Sequence, residues 1–136
     1  MPGLPVSGGG FQFTDGNNND PLLYVQQIPV QTASVTATLT PAQISGGVLV
    51  ASTGTTAATY TLPTVAALEA ALPNANRVGH ALELSIINLG TTPANITLAV
   101  GTGWTIVGSA TIAFSTSAYM ELVKTGDGSW TLYRQS

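Results

Sequence analysis

Between Ala81 and Ser136 apolar and polar side chains alternate in short runs, and glycine or serine ends most of them. Leu82, Leu84 and Ile86 alternate with Glu83 and Ser85, and Ile96, Leu98 and Val100 with Asn95, Thr97 and Ala99. Trp104 and Ile106 follow, then Ala110, Ile112 and Phe114, then Met120 and Leu122 about Glu121, and Trp130 and Leu132 about Thr131. A strand turns successive side chains to opposite faces, so a two-residue period makes a ribbon with one dry side and one wet side. Such ribbons bury their dry sides only by pairing and covering one another. The pattern predicts an all-β domain and, by itself, no function.

With 136 residues, 44% of them hydrophobic, the chain is long enough for one core and one domain. Only 7% of the residues are charged, against roughly 25% in an average soluble domain. The wet faces must therefore be built from threonine, serine, asparagine and alanine, which suits a protein whose faces are covered by neighbours in an assembly. Three Lys and Arg stand against six Asp and Glu, a net charge of −3. That leaves no cationic footprint for a phosphate backbone, and direct nucleic-acid binding is not expected. The absence of cysteine excludes disulfides and thiolate chemistry. No apolar run reaches the 18 residues of a membrane span, and Met1–Pro5 lacks the basic and apolar segments of a signal peptide. Synthesis in the cytoplasm without export by that route, and no membrane partner, are the expectations.

Residues 1–31 differ from the rest. Met1–Gly10 is rich in proline and glycine, and Asp15–Pro21 is a dense turn cluster; neither sustains a helix or a central strand. Yet Phe11, Phe13, Leu22, Leu23, Tyr24, Val25 and Ile28 punctuate the stretch. The reading is an extended N-terminal arm whose apolar anchors lie along a partner surface, followed by a β-domain over residues 32–136. The alternative is a disordered leader with one edge strand at Leu22–Gln26. In the domain, Val35, Ala37 and Leu39 predict a first strand, and Thr40, Pro41 and Gln43 a short capped helix that Gly46 and Gly47 end. Thr64 caps the main helix, with Val65, Leu68 and Leu72 on one stripe and Pro73 beyond its end. The glycine-rich segment Lys124–Ser129 predicts a hairpin between the last two strands.

Little in the chain carries chemistry. The single histidine, His80, stands at a strand entrance without a Gly-x-Ser-x-Gly elbow. The carboxylates are Asp15, Asp20, Glu69, Glu83, Glu121 and Asp127. Of these, Glu83 and Glu121 are expected on wet strand faces as solvated charges, able to meet only if their strands are neighbours. Asp15, Asn17 and Asn19 sit at the first, third and fifth positions of a calcium-type loop, but Asp20 replaces the glycine at the sixth and Gln26 the glutamate at the twelfth. No catalytic, cofactor or metal site is expected. Trp104 and Trp130 share the inward register and read as core; Tyr119 and Tyr133 have the opposite parity and read as exposed.

The blocks Thr40–Gly47, Tyr60–Leu68, Ile86–Gly90, Ala99–Gly108 and Val123–Arg134 resemble, in that order, small structural proteins of tailed bacteriophages, in particular capsid decoration (cement) proteins. The resemblance covers about Val35 to Arg134 and leaves the arm outside it. It implies an antiparallel β-sandwich, jelly-roll-like, that binds the major capsid protein on the outer capsid surface of the virion as a homotrimer. Such a protein stabilises the shell against internal DNA pressure. The arm anchors would carry part of that binding. Similar domains also occur in head fibres and tail appendages, where Tyr119 or Tyr133 would meet a host receptor or glycan.

Overall fold

Among the described residues the alternation just described forms ten strands, and two short helices lie between them. The structure is a computed structural model and describes residues 29–136. The arm anchors Phe11, Phe13, Leu22, Leu23, Tyr24, Val25 and Ile28, the Asp15–Asn19 loop and the alternative strand at Leu22–Gln26 all lie outside the described residues. The strands are β1 (Gln31–Ala33), β2 (Ala37–Thr38), β3 (Val48–Ala51), β4 (Ala58–Thr61), β5 (Ala81–Asn88), β6 (Ile96–Ala99), β7 (Trp104–Val107), β8 (Thr111–Ile112), β9 (Ser117–Gly126) and β10 (Ser129–Arg134). Helix α1 (Pro41–Ser45) precedes β3, and α2 (Val65–Ala71) precedes β5.

Both helix starts follow the capping residues. At α1 the Thr40 side chain accepts from the Gln43 N–H while the Gln43 side chain accepts from the Thr40 N–H, a reciprocal box with Pro41 at the first position. At α2 Thr64 accepts from the Ala67 N–H, and Val65 and Leu68 are buried. The Val35–Leu39 expectation holds only in part. The regular strand is two residues long, Val35 is 66% exposed and Leu39 alone enters the core.

The strands form a six-stranded sheet, in the order β1-β3-β5-β9-β10-β7, and a four-stranded sheet, in the order β2-β4-β6-β8. One hydrophobic cluster draws on both: Leu49, Leu84, Ile86, Met120 and Leu132 from the first, Tyr60, Ile96, Leu98 and Ile112 from the second. The fold is therefore sheet-rich with two layers over one core. Antiparallel pairing throughout, as expected, is not what the chain does. Strand pairs β1/β3, β3/β5, β2/β4, β4/β6 and β7/β10 are parallel, and only β5/β9, β9/β10 and β6/β8 are antiparallel. The reason lies in the winding. From β1 to β6 each strand lands in the sheet opposite its predecessor, so the chain returns to a sheet travelling in its earlier direction. A two-residue period is blind to this difference, because either pairing buries alternate side chains.

The Gly101–Gly103 turn ties the layers together. Its Thr102 carbonyl accepts from the Val65 N–H at 2.9 Å and its Gly103 carbonyl from the Trp130 N–H at 3.0 Å. Gly103 has φ +93°, and a Cβ there would fall 2.7 Å from the Gly128 carbonyl oxygen and 2.8 Å from the Val65 Cβ. Gly103→Ala should therefore cost about 2 kcal/mol through strain and overpacking, measured by urea unfolding. A midpoint equal to that of the unmodified chain would contradict this packing.

Candidate functional site

Two outward faces follow from strand parity, and they differ in chemistry. On the four-stranded sheet, Thr59, Thr97 and Thr111 stand in one row across β4, β6 and β8, and Thr38 and Thr61 in the next. This face is neutral and threonine-lined. On the six-stranded sheet, Glu83, Glu121, Tyr133 and Val107 follow one another across β5, β9, β10 and β7. The adjacent row holds Val48, Ser85 and Tyr119, the next beyond it Val50, Ile87 and Ser117, and Val123 lies on the other side. Ile87, Tyr133 and Val107 rank among the exposed large apolar side chains, at 36%, 38% and 48%.

Glu83 and Glu121 are thus the surprise of the structure. Their strands are neighbours and the two residues lie directly opposite in the β5/β9 register. Cross-strand partners of this kind hold their Cβ atoms about 4.5–5.5 Å apart, and like charges there are destabilising. The Glu83 carboxylate, as hydrogen-bond acceptor, raises the neighbouring Tyr119 phenol above its ordinary value, with burial adding to the effect. The pair sits on a sheet face rather than in a cleft. His80, half-buried at the entrance to β5, lines a separate open groove of about 440 Å³ with Leu72, Asn74 and Leu82. Its ring makes no hydrogen bond among the described residues.

Beneath the sheet the sequence hid a polar lock. Lys124 has the inward parity of Met120 and Leu122; its side chain is 7% exposed, and its ammonium pairs with Glu69 of α2. The Trp130 Nε1–H donates to the same carboxylate oxygen at 3.0 Å. The Lys124 and then the Trp130 hydrogen bonds hold the Glu69 carboxyl below its usual range. Trp104 and Trp130 are buried as expected, in register with each other and with ring centroids 6.0 Å apart. The Trp104 Nε1–H donates to the Pro63 carbonyl at 2.7 Å.

A second missed residue is Asn88, 1% exposed at the end of β5. Its Nδ2 donates to the carbonyls of Ala94 at 2.9 Å and of Ile112 and Ala113 at 3.2 Å, and its Oδ1 accepts from the Gly90 N–H at 2.8 Å. It joins the two sheets at that end. Its signal was in the text: Asn88 continues the apolar register of Leu84 and Ile86, as Lys124 continues that of Met120 and Leu122. Tyr60 is fully buried with its hydroxyl unpartnered, and burial raises its phenol.

Among the described residues no group of three or more His, Cys, Asp or Glu is placed to hold a metal ion, and no helix is long and apolar enough to cross a membrane. Comparison with known protein families, with curated proteins and with solved structures finds no match for this chain.

Proposed function

We propose that this chain is a capsid decoration protein of a tailed bacteriophage. It binds the major capsid protein on the outer shell as a homotrimer and stabilises the shell against the outward pressure of packaged DNA. The resemblance of the five sequence blocks supplies the family. The structural observation that favours it is the outer face of the six-stranded sheet, where the exposed Tyr133, Ile87 and Val107, with Val123 and Tyr119, the latter half-buried rather than exposed as expected, form a surface suited to adhesion. We read the two stacked sheets as a wound variant of the jelly-roll-like sandwich that the resemblance implies.

A decoration protein works by binding energy. Each contact lowers the free energy of the intact shell relative to a ruptured one, as a ligand stabilises the state that it binds. Trimerisation adds avidity, because the second and third contacts form at high effective concentration. The test is to mix the purified chain with shells lacking it and to score occupancy and heat resistance. Uptake with a gain in rupture temperature is expected; no uptake ends the proposal. Removing residues 1–28, all N-terminal to β1, should leave near-ultraviolet circular dichroism unchanged and weaken shell binding at least tenfold. Equal occupancy would remove the arm from the mechanism. The placement of Tyr119 and Tyr133 on one face also keeps a head-fibre or tail-appendage role in view, and glycan-array binding lost in Tyr133→Ala would favour it.

A further inference from the structure

The six-stranded sheet presents two carboxylates, Glu83 and Glu121, in register on its open face. Among the described residues no cation pairs with either of them. The whole sequence holds three Lys and Arg: Arg77, Lys124 and Arg134. Lys124 points inward and is committed to Glu69. Arg134 shares the inward parity of Met120, and its guanidinium donates to the carbonyls of Ser109, Thr111 and Ser136. Arg77 lies in the connection between α2 and β5, and no ion pair is formed by it among the described residues. Gln135 Nε2 donates to the Glu121 carboxylate at 3.4 Å.

This inventory decides what can cover the face. The chain's own arm carries Asp15 and Asp20 and no Lys or Arg, so laying it here would add negative charge to negative charge. A second copy packed face to face would set four carboxylates together. A surface of different composition, with apolar contacts and a protruding cation, satisfies both the Val/Ile/Tyr rows and the carboxylates between them. Resting on the capsid-binding reading above, we propose that the outer face of the six-stranded sheet is the capsid-docking face, and that a lysine or arginine of the shell protein enters between Glu83 and Glu121. The opposed carboxylates are then a recognition device. Their mutual repulsion in the free protein is relieved on docking, which favours the bound state and rejects acidic partners.

The test uses the full chain and shells lacking it. Glu83→Gln with Glu121→Gln should keep or slightly raise the unfolding midpoint, since a like-charge cross-strand pair is removed. The same variant should bind shells at least tenfold more weakly and lose most of the salt dependence that unmodified binding shows. Val107→Ser should also weaken binding, whereas Thr97→Glu on the opposite sheet should leave it unchanged. Equal shell binding by the Gln variant and the unmodified chain overturns the docking face while leaving decoration intact. Failure of the unmodified chain to bind shells overturns decoration and this inference with it. Two further outcomes also overturn it. One is binding abolished by a chelator and restored by calcium, which makes the carboxylates a cation bridge. The other is a change in oligomeric state without a change in shell affinity, which makes the face an interface between copies.

Discussion

Replacing Glu69 with alanine should cost about 3 kcal/mol of stability, because the change strands the buried Lys124 ammonium without its carboxylate. The lower end of the range for a broken buried pair applies, since Glu69 is 27% exposed and water can reach the gap. Trp130 also loses the acceptor of its indole N–H. Urea unfolding reads the loss directly. The combined change Glu69→Leu with Lys124→Met should recover most of it, because removing both charges together leaves no uncompensated ion. An alanine variant as stable as the unmodified chain would show that the pair holds nothing. The lock also gives a pH signature. The folded-state carboxyl is held below its ordinary value by the Lys124 and Trp130 hydrogen bonds. Its contribution is therefore complete above the unfolded pKa of about 4.3 and is lost as pH falls through the lowered folded value. Glu69→Gln should flatten this acid limb of the stability profile.

Asn88→Asp should cost more, about 4 kcal/mol at neutral pH. The amide donates to three carbonyls from a site that is 1% exposed, and a carboxylate there would face those same oxygens with a charge and no donor. Burial and the carbonyl dipoles raise such a carboxyl. The variant should therefore regain stability as pH drops from 7 towards 5, opposite in sign to the Glu69 effect. Asn88→Leu, which carries no charge, should lose about 3 kcal/mol with no pH dependence of its own. Thermal unfolding at several pH values separates the two; a variant indifferent to pH would mean that the aspartate finds solvent.

How much of this was legible beforehand depends on the range of each interaction. The caps of α1 and α2 could be read from Thr40, Pro41, Gln43 and Thr64 because a helix start is decided within four residues. The burial of Trp104 and Trp130 followed from parity alone. Strand order did not, because the winding between layers depends on which distant ribbon covers which. The meeting of Glu83 with Glu121 was hidden for the same reason: it requires β9 to lie beside β5, and the residues between them in sequence supply three other strands, β6, β7 and β8. Lys124 and Asn88 were visible as polar interruptions of an apolar register. Their partners, Glu69 on a helix and the carbonyls of Ala94, Ile112 and Ala113, were not.

The β9–β10 hairpin lies inside the six-stranded sheet, between β5 and β7, yet it is synthesised after both. Until residues 117–134 emerge, β5 has a bare flank and Trp104 lacks the indole it packs against. Translation should therefore deliver the earlier strands in an open, adhesive condition, and closure should wait for the last ribbon to slide into its slot. A stop codon just ahead of Ser117 would remove the keystone rather than trim an edge, so such fragments should be cleared by proteases or collect as aggregates.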